Sequence, residues 1–335
     1  MGGNLLITFF NEFYKNSIES KIGNVDYTII NNHKCWFKTT TNEIILDVLG
    51  VNESRTLAQI TLNDNLFIGG SSGSGSEGTM LSVLLGLFHE YSPQELQYKE
   101  LHCNEWSFLP SLMDFPHCES EARVDDPNAF IDSIDAIQIE MKSRQDKFTQ
   151  KGVQNFKEYR KSENMPAKII VLDHVENLFR LERYARTRGK DGDDLAKLNG
   201  KAHEVLDSMS ENEITSAKSE ILNTLAQLMT EGSKYGYHFI LMTDDIQYCD
   251  SKFVKDTCSL IGLKGTSPRI SDEFIGSDLA KNIFGDRTRT IFRNGTKIPV
   301  NGEDVFITPY IPTIGDDVNS FKHIKQEFFS HQYFS

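Results

Sequence analysis

The fold is decided by the stretch Asn65-Leu-Phe-Ile-Gly-Gly-Ser-Ser-Gly-Ser-Gly-Ser-Glu-Gly-Thr-Met80. It has the order of a phosphate-binding loop, written G-x-x-x-x-G-K-[ST]. In such a loop a buried strand leads in and a helix leads out, so that backbone N–H groups surround the phosphates. Residues 66–68 predict the strand, and residues 80–88 predict an apolar helix. The glycines of the pattern are Gly70, Gly73 and Gly75. The lysine that normally holds the phosphates is missing.

Two alignments of the missing lysine are open. If lysine was substituted, Ser76 occupies its position and Glu77 falls where the Mg²⁺-binding serine or threonine belongs. If lysine was deleted, Ser76 keeps the Mg²⁺ position. Neither alignment supplies a cation, and a carboxylate about 4 Å from a phosphate costs roughly 4 kcal/mol at an effective dielectric of about 20. The alternative to a phosphate loop is a flexible glycine-serine linker.

Composition limits the class of protein. The chain has 335 residues, of which 39% are hydrophobic and 25% charged, as in an ordinary globular α/β protein. Its formal charge of −13 excludes a general basic surface for nucleic acid, so DNA contact would need a local patch or an assembled ring. Five cysteines without Cys-x-x-Cys spacing favour a reducing, cytoplasmic location. The longest apolar stretch, residues 80–88, is far shorter than the about 20 residues of a membrane span.

Two further apolar runs predict buried strands that deliver polar groups to one edge of a sheet. They are residues 168–173, which end in Asp173, and residues 237–243, which end in Thr243. Helical patterns over residues 128–160 and 215–233 alternate with the strands, which predicts a mainly parallel sheet with helices on both faces. Because ligands bind beyond the carboxyl ends of parallel strands, we expect Ser72, Asp173 and Thr243 to converge.

The predicted organisation has three parts. Residues 1–60 form a small β-rich N-terminal extension, residues 61–315 form the main α/β domain, and residues 316–335 form a C-terminal tail. Within the main domain, residues 185–216 are charged and dotted with glycine, which predicts an insertion at the surface.

From about residue 65 to residue 312 the chain resembles the motor domain of the FtsK/SpoIIIE family. This family is a branch of the RecA-like P-loop ATPases that also contains the type VII secretion motors. Family loops read Gly-Thr-Thr-Gly-Ser-Gly-Lys-Ser and are commonly followed by glutamate, which favours a deleted lysine and Ser76 as the surviving metal-binding serine. Residues 115–118 are similar to the family's Leu-Pro-His-Val turn. The most specific match is the helix pair of residues 140–159, which carries the pattern EM-x-x-R, F-x-x-x-G-V, Y.

The resemblance implies roles for individual residues. Asp173 and Ser76 would hold Mg²⁺, Asp173 acting through water, while His174 replaces the glutamate that polarises the attacking water. Glu176 lies nearby, and Thr243 is kept from the family's sensor strand, where aspartates 244 and 245 replace glutamine and arginine. The residues implied in nucleotide binding are Gly70, Ser71, Ser72, Gly73, Ser74, Gly75, Ser76 and Glu77.

These departures predict a degenerate ATP site with weak or absent binding of ATP and Mg²⁺. The module would then be a structural or regulatory part of an assembly that translocates DNA or protein, in the cytoplasm or held by partners at the inner face of the membrane. The alternative is an active ATP-driven DNA translocase, a hexameric ring by resemblance, whose missing cation comes from a neighbouring subunit. Arg287 and Arg289 are the candidate arginine fingers. A third interpretation is a binding protein that displays residues 185–216.

Overall fold

The computed structural model defines eleven strands and five α-helices among the residues that it describes. These residues are 44–62, 65–103, 112, 115–123, 127–180, 210–264, 272–274, 288–293, 296–298, 305–309, 322 and 326. The strands are β1 Ile45–Asn52, β2 Leu57–Thr61, β3 Asn65–Gly69, β4 Leu96–His102, β5 Cys118–Arg123, β6 Ala167–Asp173, β7 Tyr237–Thr243, β8 Cys258–Gly262, β9 Thr288–Arg293, β10 Thr296–Ile298 and β11 Phe306–Ile307. The helices are α1 Ser76–Glu90, α2 Pro127–Lys151, α3 Phe156–Tyr159, α4 Glu211–Tyr235 and α5 Ser251–Thr257, with a 3₁₀ turn at Ile246–Tyr248.

All eleven strands belong to one sheet, in the order β2-β1-β11-β9-β8-β3-β7-β6-β4-β5, with β10 paired to β9. The six strands from β8 to β5 run parallel, and the remaining pairs are antiparallel. This confirms the predicted α/β fold with a mainly parallel central sheet. Strand β3, which leads into the glycine loop, lies between β7 and β8.

Helices cover both faces of the sheet because its central strands are apolar on both sides. Every residue of β3, β6, β7 and β8 is buried. Successive residues of a strand point to opposite faces. Ile68 accordingly packs in one core cluster with Leu84 of α1, whereas Phe67 packs in the other with Leu225 of α4.

The described part of the N-terminal region continues the sheet. Strands β1 and β2 form an antiparallel hairpin that joins the sheet through β11. Leu46 of β1 and Ala58 of β2 share a core cluster with Leu81 of α1. Residues 1–43 and most residues beyond 309 lie outside the described part, so the boundaries predicted at 60 and 315 stay predictions.

Helix α4 begins earlier than we predicted. Its first residue is Glu211 rather than Thr215, because Ser210 and Glu213 form a capping box. Residues 211–216, which we had placed in the charged insertion, are therefore helical, while residues 181–209 lie outside the described part. None of the helices that the structure describes is long and apolar enough to cross a membrane.

The helix pair that carries the most specific family pattern stabilises the fold at the amino end of the sheet. Arg144, 3% exposed, bonds the Glu140 carboxylate at 3.1 Å and the Tyr235 carbonyl at 2.9 Å. Its guanidinium also lies 4.8 Å from the ring centre of Tyr237, the first residue of β7. Because Thr243 ends the same strand, this packing lies at the edge opposite to the candidate site.

Candidate nucleotide-binding site

The glycine loop is a closed turn that the ends of neighbouring strands hold in place. Ser71 donates to the Lys264 carbonyl, just after β8, from its amide at 2.9 Å and from its hydroxyl at 3.0 Å. The amide of Ile246, just after β7, donates to the Gly70 carbonyl at 3.1 Å. Gly73 and Gly75 have φ values of 77° and 82°, the left-handed region that favours glycine. This ordered geometry is not that of a flexible linker.

Gly70 is packed so tightly that no larger residue fits. A Cβ at this position would clash with Ser74 Oγ and lie 2.7 Å from Leu263 Cβ. At Gly73, in contrast, a Cβ would meet no atom within 4 Å. The loop therefore has one glycine imposed by close packing and two imposed by the backbone conformation.

The register of the sheet places the carboxyl ends of β3, β7 and β6 side by side. Gly69 at the end of β3 is paired with Thr243 at the end of β7. Leu172, one residue before Asp173, is paired with Leu241 of β7, and Asp173 is paired with His102 of β4. Since paired strands lie about 4.8 Å apart, the loop, Thr243 and Asp173 meet at one edge, as predicted.

Asp173 is fully buried, and both of its carboxylate oxygens have partners. Oδ1 accepts from the Cys103 amide at 3.1 Å, and Oδ2 lies 3.1 Å from His102 Nδ1. The same His102 nitrogen lies 3.6 Å from a carboxylate oxygen of Glu100. Sequence analysis missed Glu100 and His102, because only the pairing of β4 with β6 brings them next to Asp173.

His174 is buried directly after Asp173, at the position where the resemblance implies a glutamate in the family. Its backbone is left-handed, with φ 47°. Nδ1 lies 3.3 Å from Glu176 Oε1 and 3.7 Å from Asp244 Oδ1. Burial alone would lower the pKa of His174, but hydrogen bonds to Asp244 and Glu176 outweigh it and raise the pKa to about 11. His174 is therefore an imidazolium at neutral pH.

Glu176 and Thr243 complete this cluster. The Thr243 hydroxyl donates to Glu176 Oε2 at 2.6 Å and accepts from the Asp245 amide at 3.0 Å. Glu176 is 4% exposed, and its other oxygen faces His174. The hydrogen bond from His174 lowers the pKa of Asp244, which stays ionised. The histidine and the aspartate, two separate departures in the sequence, thus form one ion-paired cluster.

Arg289 lies elsewhere than we expected. It belongs to strand β9, and it is 1% exposed. Its Nε donates to the Thr79 hydroxyl at 2.7 Å and its Nη2 donates to the Gly75 carbonyl at 3.2 Å. The side chain therefore contacts the loop of its own chain and does not reach towards a neighbouring subunit. Arg287 lies outside the described residues.

Comparison with known proteins identifies the family. Residues 28–248 match the sequence model of the FtsK/SpoIIIE family. This chain belongs to the FtsK/SpoIIIE family. The ESX secretion system protein EccC of Geobacillus thermodenitrificans (strain NG80-2) is 32% identical over 114 residues, which are 33% of this chain and 8% of that protein.

Solved structures of this group share the fold. EssC (ATPases 2 and 3) of Geobacillus thermodenitrificans aligns with a TM-score of 0.57 and 17% identity, over 92% of this chain and 51% of that one. The cytoplasmic domain of the type VII secretion ATPase EccC of Thermomonospora curvata aligns with a TM-score of 0.62 and 15% identity, over 93% of this chain and 34% of that one. The pCW3 conjugation coupling protein TcpA, with ATPγS, aligns with a TM-score of 0.54 and 15% identity, over 90% and 74%. The FtsK/SpoIIIE chain described here thus spans only a part of its secretion relatives.

Two groups of side chains in this FtsK/SpoIIIE domain have the proximity of a metal site. They are Glu100, His102 and Asp173, and His174, Glu176 and Asp244, each with ligand atoms within 4.8 Å of one another. Mg²⁺ takes oxygen ligands and keeps several waters. The carboxylates of the Asp173 group are of the ligand type that Mg²⁺ takes, and the roles of Asp173 and Ser76 in holding Mg²⁺ stay predictions. In each group the histidine offers a nitrogen, whereas Mg²⁺ prefers oxygen, so the carboxylates are the suitable ligands.

Proposed function

We propose that this FtsK/SpoIIIE domain has lost ATP hydrolysis and serves as a structural or regulatory part of a translocating assembly. The observation that carries this proposal is the ion-paired His174, which stands where the family has its catalytic glutamate. The proposal concerns this domain, and the activity of any larger protein that contains it is a separate question.

Loss of hydrolysis follows from the charges at the strand ends. Attack of water on the γ-phosphate needs a residue that orients the water, and general base catalysis needs a group that accepts its proton. An imidazolium accepts no proton. Glu176, the next carboxylate after His174 in the sequence, has one oxygen bonded to Thr243 and the other facing His174.

Weak nucleotide binding follows from the loop. Lysine and Mg²⁺ together neutralise the charge of the phosphates in active P-loop enzymes, and lysine is missing here. Glu77 lies in the first turn of α1, and Asp244 follows the neighbouring strand end as an ionised group. We therefore expect ATP and Mg²⁺ to bind far more weakly than in an intact motor.

The partners that we propose are other subunits of a secretion or translocation assembly in the cytoplasm. The relatives support this, since one is named a secretion system protein and another a conjugation coupling protein. The formal charge of −13 makes a general DNA-binding surface less suitable than a protein interface. The inward direction of Arg289 leaves Arg287 as the remaining candidate for an arginine finger in an active ring.

The test is calorimetric titration of the purified chain with ATP and Mg²⁺, before and after lysine is restored. We expect weak or no binding by the natural sequence. If lysine was deleted, its insertion between Gly75 and Ser76 restores binding, whereas Ser76→Lys does not, because that change removes the metal-binding serine. Steady ATP turnover by the natural sequence at the rate of an intact motor would refute the proposal.

A further inference from the structure

We propose that Glu100, His102 and Asp173 form a binding site for a divalent transition-metal ion of the zinc type, which binds without nucleotide. The ion lies between His102 Nδ1 and one carboxylate oxygen of each acidic residue, with water as a further ligand. The site shares Asp173 with the predicted Mg²⁺ site, but it needs no phosphate, no residue of the glycine loop and no hydrolysis. It therefore goes beyond the proposed function and does not depend on it.

Strand pairing brings the three residues together on rigid elements. Glu100 and His102 are two residues apart on β4, so their side chains point to the same face of the sheet. Asp173 is the last residue of β6 and is paired with His102 across the two parallel strands. Ligands carried by strands are held more precisely than ligands carried by loops.

The distances between the side chains match those between the ligands of one metal ion. Zinc binds nitrogen and oxygen at about 2.0–2.2 Å, which places neighbouring ligands of a tetrahedral ion about 3.4 Å apart. His102 Nδ1 lies 3.1 Å from Asp173 Oδ2 and 3.6 Å from Glu100 Oε1. The three ligand atoms all lie within 4.8 Å of one another. An ion therefore fits between them after small shifts of the side chains.

The three side chains are buried, and a neighbouring backbone group orients the aspartate. Glu100 is 2% exposed, His102 3% and Asp173 0%. The Asp173 Oδ1 atom accepts a hydrogen bond from the Cys103 amide at 3.1 Å, while Oδ2 faces His102. Hydrogen bonds of this kind orient metal-binding carboxylates and histidines. Further contacts of these side chains are for the same reason compatible with metal binding.

The ligand set selects the class of ion. One imidazole and two carboxylates suit zinc and related transition-metal ions better than Mg²⁺, which takes oxygen ligands and keeps several waters. The burial of all three side chains leaves little room for such a water shell. We therefore expect Zn²⁺ to bind, Co²⁺ to replace it, and Mg²⁺ at millimolar concentration not to compete.

The bound ion changes what Asp173 can do. With Oδ2 on the ion and Oδ1 on the Cys103 amide, both carboxylate oxygens have partners other than the water of a nucleotide-bound Mg²⁺. The ion also joins β4 to β6 at the carboxyl edge of the sheet. It therefore stabilises the folded chain and competes with Mg²⁺ for Asp173.

The experiment is calorimetric titration of the full chain with Zn²⁺ alone, after metals have been removed with a chelator and without nucleotide. The variants are His102→Gln and Glu100→Gln, and the matched control is Glu231→Gln at an exposed position of α4. Loss of a residue that only orients a ligand lowers metal affinity about 10–100-fold. We therefore expect both variants to bind one equivalent of Zn²⁺ at least about 100-fold more weakly than the natural sequence. The control should bind it like the natural sequence.

The visible spectrum of Co²⁺ gives a second readout, because it depends on the geometry of the ligands. Titration with Co²⁺ in place of Zn²⁺ should give the same bands in the natural sequence and in Glu231→Gln. These bands should be lost in His102→Gln, which has no imidazole at this position. Identical Co²⁺ spectra in the natural sequence and in folded His102→Gln would overturn the site.

The remaining outcomes are also decisive. A natural sequence that binds no Zn²⁺, or folded variants that bind it unchanged, overturns the site. Loss of the ion in Asp244→Asn but not in His102→Gln would assign it to the His174 group and overturn the site too. Should both variants fail to fold, Zn²⁺ must raise the melting temperature of the natural sequence and of Asp244→Asn alike, and an unchanged melting temperature overturns the site. ATP turnover by the natural sequence overturns the proposed function and leaves the metal site untouched.

Discussion

At the residue scale, the site is explained by pairs of residues that no local pattern reveals. His174 and Asp244 each stand out in the sequence as departures from the family. Their ion pair forms only because β6 and β7 are neighbouring strands. The contact between His102 and Asp173 likewise forms only because β4 and β6 are neighbouring strands. Sequence analysis therefore found the strand-end residues Asp173, His174 and Thr243 but not the contacts that determine their charge states.

The charge of His174 makes the stability of the chain depend on pH. Its pKa of about 11 in the folded state lies above the ordinary 6.5. Its contribution is thus fully present below pH about 6.5 and is lost as the pH rises towards 11, at up to about 1.4 kcal/mol per pH unit for one proton. We expect the free energy of urea unfolding to fall between pH 7 and pH 9, by more in the natural sequence than in His174→Gln.

The control for this measurement is Glu95→Gln, since Glu95 lies in the turn before β4, away from the cluster. It should reproduce the slope of the natural sequence. Parallel pH profiles for the natural sequence and His174→Gln would mean that His174 is not protonated in the folded state.

Also at the residue scale, alanine substitutions at Gly70 and Gly73 form a matched pair that tests the packing of the loop. Gly70→Ala places a Cβ against Ser74 Oγ, Leu263 Cβ at 2.7 Å and the Lys264 carbonyl oxygen at 3.0 Å. We expect it to lower the free energy of unfolding by about 3 kcal/mol, the upper part of the range for overpacking. Gly73→Ala has free space and only a left-handed backbone to strain, so about 1 kcal/mol is expected. Equal losses in chemical denaturation would mean that the loop is not packed as described.

At the element scale, strands and helices with a strong hydrophobic pattern could be predicted from the sequence. Strands that form only by pairing with other strands could not. Strands β3, β6 and β7 follow from apolar runs that end in polar groups, and α1 follows from the apolar residues after the loop. Strand β9 carries no such pattern, and its pairing with β8 and β11 exists only in the tertiary structure. For this reason the position of Arg289 in the sheet, in contact with the glycine loop of its own chain, could not be predicted from the sequence.

The start of α4 can be tested through its cap. Ser210 Oγ accepts from the Glu213 amide and Glu213 reaches back to the Ser210 amide. Ser210→Ala should therefore lower the free energy of unfolding by about 1 kcal/mol, the usual value of an N-cap. Ser216→Ala, at an exposed position inside the helix, should be neutral or slightly stabilising. A loss at Ser216 and none at Ser210 would place the helix start near residue 215 instead.

At the scale of the whole molecule, the fold of the family is kept, and we propose that the charges of its site are changed. The buried sheet, the closed loop and the Arg144 packing are those expected of a stable domain. The loop has no lysine, and in the proposed function His174 takes the place of the family's catalytic glutamate. The fold was predictable because it depends on many residues, whereas the state of the site depends on a few charges whose partners come from other strands.

The most direct test of this account is hydrolysis of labelled ATP under single-turnover conditions, with the chain in excess over ATP and with Mg²⁺ present. A parallel reaction contains the variant with lysine inserted after Gly75 and His174 replaced by glutamate. The account predicts that the natural sequence releases phosphate no faster than a heat-denatured sample. Phosphate release by the natural sequence at about 1 s⁻¹ or faster, the range of typical enzyme turnover, would contradict it.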